Sequence, residues 1–337
     1  MENTIDNGSM ITPENNNVVP AKAETRMKRT RQRLIFYILM MIFPMLHFLV
    51  FRVYINLDMF AMAFSEYVKP AGEVVLQRQF IGFENFKFII ELFGKTSSEA
   101  SGAQPYILLL RNSFIYYGIG LTFVPIGIFF AYYIYKGFPL GNVFRVFLYL
   151  PQILSAVVLT FLYKEIMRTV MMAGSLSLFH VILYNFWTGF GVNVIMYTGA
   201  MCGINVSISE SAQLDGATSM RELWSITLPM IFPTIVTFLV MGIAGIFTAQ
   251  ANLFSFYSYN LTLENANAVA FQPLGYYMYV NTLRSGPTLN LENKFYIGYD
   301  AITYPQLSTM GLMITVIVLP VALIVRHVLE KYGPSDR

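Results

Sequence analysis

Between Asn205 and Pro229 the chain reads Asn-Val-Ser-Ile-Ser-Glu-Ser-Ala-Gln-Leu-Asp-Gly-Ala-Thr-Ser-Met-Arg-Glu-Leu-Trp-Ser-Ile-Thr-Leu-Pro. Ser207 followed by Glu210 has capping-box spacing, so a helix is expected to start there. Asp215-Gly216 then breaks it, because glycine takes the left-handed conformation that ends a helix. Ser219 followed by Glu222 repeats the spacing and predicts a second helix with Leu223, Trp224 and Ile226 on its apolar side. Pro229 marks the junction with the next apolar stretch. Two short helices meeting at a glycine elbow are marginal in water and need a surface to dock on. That surface is either the protein itself or another subunit.

The elements around this elbow are membrane spans. Of 337 residues, 55% are apolar and only 12% are charged, against about 25% charged in soluble domains. Such a composition excludes an ordinary soluble enzyme and a disordered chain. A net charge of +3 with no broad basic face argues against nucleic-acid binding. The lone cysteine, Cys202, excludes a disulfide framework within the chain and a cysteine-based zinc cluster.

Six apolar stretches are long enough to cross a bilayer, which takes roughly 20 residues each. They cover residues 34–57, 106–135, 143–163, 178–202, 230–250 and 308–329. Residues 1–33 form a polar tail, expected to be disordered, that ends in the basic run Arg26, Lys28, Arg29, Arg31 and Arg33. The positive-inside rule keeps this run in the cytoplasm. Both termini are then cytoplasmic, including residues 333–337. Segments 58–105 and 251–307 lie outside, and the elbow at 205–229 lies inside. Lys136, Arg145, Arg221, Arg326 and Lys331 agree with this placement, while Lys164 and Arg168 count against it. The predicted fold class is therefore an all-α integral membrane protein with six transmembrane helices and a cytoplasmic elbow. Gly199 and Gly203, four residues apart, are expected to allow close helix packing.

Several chemistries are missing from the sequence. It holds no Gly-rich phosphate loop ending in Gly-Lys-Ser or Gly-Lys-Thr and no His-Glu-x-x-His pattern. His47, His180 and His327 fall in different spans, so no metal site is expected. The middles of the spans carry almost no ionisable residues, which weakens a proton-coupled transporter. It equally weakens a membrane enzyme, which needs carboxylates or a nucleophile–base pair.

The elbow resembles the "EAA" signature of permease subunits of binding-protein-dependent ABC importers. The family pattern is Glu-Ala-Ala, three residues, Gly, nine residues, Ile, one residue, Leu-Pro. Here it stands as Glu210-Ser211-Ala212, Gly216, Ile226 and Leu228-Pro229, with Ser211 in place of alanine. Asp215-Gly216-Ala217, followed by Leu228-Pro229, resembles the carbohydrate branch. Phe80-Ile-Gly-Phe-Glu-Asn-Phe86 and Phe147-Leu-Tyr-Leu-Pro151 resemble segments of the larger sugar permeases. The layout is similar to permeases for oligosaccharides and polysaccharide fragments.

The resemblance implies a multi-pass subunit in a bacterial plasma membrane. Its expected partners are a second permease, forming a heterodimer, two ATPase subunits and an extracytoplasmic substrate-binding protein. ATP and Mg belong to the ATPase subunits, and this chain needs no cofactor and is not an enzyme. Glu210, Ala212, Asp215, Gly216, Ala217, Leu228 and Pro229 are the expected ATPase-coupling residues, with capping of its own helix as the alternative role of Glu210. Sugar hydroxyls suit amides and sugar ring faces suit aromatic rings. Asn185, Trp187, Asn193, Tyr197, Gln250 and Asn252 are accordingly the candidate path lining, with interhelical hydrogen bonding as their alternative role. A secondary transporter or channel without an ATPase is the competing function.

Overall fold

The computed structural model describes residues 21–68, 76–94, 106–171, 178–257, 271–284 and 302–334. Two compact units divide the chain, residues 1–58 and 59–337. The first unit is helical. Helix α1 (Ala21–Phe48) continues through a π-turn (Leu49–Tyr54) into α2 (Ile55–Ala63). Of the polar tail at 1–33, residues 21–33 with the basic run lie in α1, and residues 1–20 lie outside the described residues. From residue 32 to residue 58 every side chain is exposed. Apolar surface of this kind suits a lipid environment.

The second unit is a helical bundle with a small hairpin at one end. Strands β1 (Ser65–Val68) and β2 (Gln77–Phe80) pair antiparallel. The amphipathic helix α3 (Glu84–Gly94) comes next and buries Asn85, Ile89 and Leu92. Asn85 Nδ2 donates to the Ala63 and Ser65 carbonyls at 3.1 and 3.0 Å, tying α3 to the entry of the hairpin.

Helix α4 (Ile107–Tyr135) spans the bundle. At about 1.5 Å per residue it is long enough to carry its two ends to opposite faces of a bilayer. At its first end it meets α12 (Leu274–Arg284), where Asn112 donates to the Gln272 carbonyl and the Leu274 amide donates to Ser113 Oγ. Leu274, Tyr276, Tyr277 and Val280 are fully buried there. Of the segment 251–307 that was expected to form an outer cap, residues 258–270 and 285–301 lie outside the described residues.

The third predicted span is two helices, α5 (Gly141–Ile153) and α6 (Ala156–Met171), bent by 109°. Leu154 is extended at φ −84 and ψ 150, and Pro151 lacks the amide that a continuous ladder would use. Among the described residues, five helices are long and apolar enough to cross a membrane, or six if the bent pair counts as one.

Helix α7 (Leu178–Cys202) packs along α4. The expected close approach at Gly199 is absent: a Cβ there would meet nothing within 4 Å. The close contact falls at Gly191 instead, where a Cβ would collide with the Leu148 carbonyl of α5. The fifth span also differs from expectation. The short helix α9 (Ser219–Glu222) runs through a π-turn (Leu223–Thr227) directly into α10 (Leu228–Gly245). Pro229 follows directly on the π-turn and the helical backbone runs on through it, so the proline does not interrupt the span. Gln250 lies beyond the helix end. Helix α11 (Leu253–Tyr257) comes after it, and α13 (Tyr304–Tyr332) packs against α10 to close the bundle.

Candidate functional site

The elbow is built from α8 (Val206–Leu214) and α9, with Gly216 between them at φ +79. Both expected caps are displaced. Asn205 caps α8, its side chain accepting from the Ser207 amide at 3.1 Å, and Thr218 caps α9 by accepting from the Arg221 amide at 3.4 Å. Ser207 and Ser219 therefore lie inside the first turns. Asn and Thr compete well with Ser at N-caps, and sequence spacing alone does not choose among neighbours.

Glu222 has a different role from the predicted cap. It is 3% exposed, the one acidic side chain buried among the described residues. Its Oε1 lies 2.5 Å from Lys136 Nζ at the end of α4 and accepts from Ser209 Oγ at 2.7 Å. Lys136 also donates to Ser209 Oγ at 2.8 Å, and Gln213 Nε2 reaches the same hydroxyl at 3.4 Å. One turn back on α4, the Tyr132 hydroxyl donates to the Ser219 carbonyl at 2.9 Å. The lysine ammonium lies 5.7 Å from the Tyr132 ring centroid. A positive charge at the C-terminal end of α4 also meets the negative end of that helix's dipole.

This network sorts the elbow into two faces. Ser209, Ala212, Glu222 and Leu223 are buried against the bundle. Glu210, Asp215 and Gly216 are exposed, Ala217, Leu228 and Pro229 are partly covered, and Leu214 is 89% exposed. Trp224, expected on the apolar inner side, points outward at 64% exposure, beside a cavity of about 260 Å³ that Pro125, Phe129 and Met220 also line.

A second site lies at the break between α5 and α6. Pro151, Gln152, Leu154 and Ala156 line an open cavity of about 390 Å³ with Asn185, Thr188, Gly189 and Asn252. Asn252 Nδ2 donates to Asn185 Oδ1 at 2.8 Å, and Asn185 Nδ2 donates to the Ala251 carbonyl at 2.8 Å. Ala251 and Asn252 are left-handed at φ +50 and +52, a conformation that asparagine tolerates better than most residues. Gln152 Nε2, near the end of α5, donates to the Thr188 carbonyl of α7. Asn185 and Asn193 also line a smaller cavity of about 120 Å³ with Tyr116, Phe123 and Phe186. The structure thus brings Asn185 together with Asn252 and with Asn193.

The other candidates lie elsewhere. Tyr197 is 1% exposed and packs edge-on against Phe238, so it belongs to the core. Trp187 packs on a cluster of Leu159, Tyr163, Tyr184 and Phe256. Gln250 is partly exposed, but neither asparagine-lined cavity includes it. Sequence reasoning missed Gln152 and Thr188, which meet where α5 packs on α7. It also missed the buried side of Glu222, although Lys136 at the end of a span was a visible signal.

Residues 123–332 match the family described as "Binding-protein-dependent transport system inner membrane component". The chain belongs to this family. It is therefore an inner-membrane component, in keeping with its apolar helices. The polygalacturonan/rhamnogalacturonan transport system permease protein YteP of Bacillus subtilis (strain 168) is 25% identical over 292 residues, covering 77% of this chain and 84% of the relative. The multiple sugar-binding transport system permease protein MsmF of Streptococcus mutans serotype c is 27% identical over 216 residues, covering 60% of this chain and 72% of the relative. A bacterial ABC transporter involved in the import of the acidic polysaccharide alginate contains a chain of similar fold. Its TM-score is 0.64 at 21% identity, covering 91% of this chain and 99% of that one.

Proposed function

We propose that this chain is one of two permease subunits of an ATP-driven importer for an oligosaccharide or polysaccharide fragment. The observation that carries the reading is the two-faced elbow, held to the bundle on one side and exposing Glu210, Asp215 and Leu214 on the other. An ATPase subunit grips the exposed face, with Gly216 setting the bend. A second permease supplies the other half of the path, and an external binding protein delivers the sugar. In this reading the bent α5–α6 pair is one crossing, which makes six, and both termini and the elbow are cytoplasmic. ATP and Mg are held by the ATPase subunits.

The sugar's route passes the break between α5 and α6. Discontinuous helices are where transporters expose polar backbone to a substrate, and here the break adjoins the amides of Gln152, Asn185 and Asn252. Uncharged amides fit hydroxyl groups without holding them as tightly as charges would. Support for a carbohydrate comes from relatives such as YteP, MsmF and the arabinooligosaccharides permease AraP of Bacillus subtilis (strain 168).

The test is reconstitution in proteoliposomes with the neighbouring permease and ATPase. Oligosaccharide uptake is expected only with ATP inside and the loaded binding protein outside. Uptake by this chain without an ATPase would identify a channel or secondary transporter instead.

A further inference from the structure

The elbow's attachment to the rest of the bundle is unequal. On one side, α9 is continuous through the π-turn with α10. On the other side, α8 is joined to its neighbours by turns at both ends. Ile204 and Asn205 connect it to α7, and Gly216 at φ +79 connects it to α9. A helix of nine residues held by two turns has no covalent means of pushing on α4. The side-chain network supplies that means.

Ser209 on α8, Glu222 on α9 and Lys136 at the end of α4 form a closed triangle, with separations of 2.7, 2.5 and 2.8 Å around it. The ion pair is sheltered, at 3% and 14% side-chain exposure, so water screens it little and its geometry is stiff. The Tyr132–Ser219 hydrogen bond adds a second attachment one turn along α4.

We propose that Lys136, Glu222 and Ser209 form a positioning clamp that passes displacement of the elbow to α4. Helix α4 then carries the motion to Tyr116, Gly120 and Phe123, which wall the cavity that also holds Asn185 and Asn193. Thr198 Oγ1, donating to the Ala131 carbonyl at 3.4 Å, ties α7 into the same movement. The clamp rests on the importer reading above, because it matters only if the elbow is pushed from outside. It adds to that reading a named route from elbow to cavity.

The test compares the wild-type complex with the pair Lys136→Met/Glu222→Gln, which removes both charges while preserving volume and so leaves no charge buried alone. The ratio of sugar imported to ATP hydrolysed is expected to fall at least tenfold, with ATPase association within twofold of wild type. Lys136→Arg, which keeps the charge, is expected to retain the ratio. An unchanged ratio in an assembled neutral pair would overturn the clamp. A second measurement needs no altered clamp residue. Spin labels at Ser211→Cys and Phe129→Cys in a Cys202→Ser background are expected to hold one separation with and without ATP, and a change of several ångströms would also overturn it. If the wild-type chain brings no ATPase subunit out of detergent, the importer reading falls first and takes the clamp with it.

Discussion

Gly216 faces open space, with nothing within 4 Å of an added Cβ, yet its backbone sits at φ +79. The obstacle to substitution is therefore conformational rather than steric crowding. A β-branched residue forced into the left-handed region costs about 1–2 kcal/mol. Gly216→Val is expected to insert and fold, because the residue is exposed and packs on no core side chain, but to lose most sugar uptake through a misaimed elbow. Uptake rate normalised to membrane-inserted protein checks this, and normal uptake would show that the bend does not matter. Glu222 teaches the complementary lesson. Its spacing from Ser219 fits a cap, but the Lys136 ammonium at the end of α4 competes for the same carboxylate and wins. A buried ion pair with a third hydrogen-bond partner holds that carboxylate more firmly than a solvent-exposed cap would.

Among the helices, the α5–α7 crossing sets how closely the broken span approaches the asparagine-lined helix. Gly191 is buried directly against the Leu148 backbone, whereas a Cβ at Gly199 meets nothing. Gly191→Ala must move a main-chain carbonyl rather than a side chain. It is expected to destabilise the bundle by about 1–3 kcal/mol, while Gly199→Ala is expected to be neutral or slightly stabilising through its better helix propensity. Thermal aggregation in detergent orders the two variants, and equal midpoints would contradict the crossing. The bend between α5 and α6 belongs to this scale too. Phe147-Leu-Tyr-Leu-Pro151 marks a proline near the break, but a proline alone predicts a kink. The 109° turn also has Leu154 extended between the halves and α5 packed tightly on α7.

For the molecule as a whole, α4 links two ends with different work. One end meets α12 through Asn112 and Gln272. The other end holds the elbow through Lys136. The importer reading requires the elbow end to face the cytoplasm. With Asp215→Cys in a Cys202→Ser background, a membrane-impermeant thiol reagent is expected to label inside-out vesicles at least tenfold faster than intact cells. Preferential labelling from outside would place the elbow beyond the reach of any cytoplasmic ATPase and remove the importer reading.

Local and compositional terms settled the membrane class, the approximate spans, the glycine break and the family signature from the sequence alone. Those features come from hydropathy over windows and from spacings within a few residues, which a linear reading captures. The partner of Glu222, the burial of Tyr197, the pairing of Asn185 with Asn252 and the fold of α5 away from α6 were decided only in three dimensions. Each depends on distant residues being brought within hydrogen-bonding or packing distance, and short-range order carries no record of which distant groups will meet.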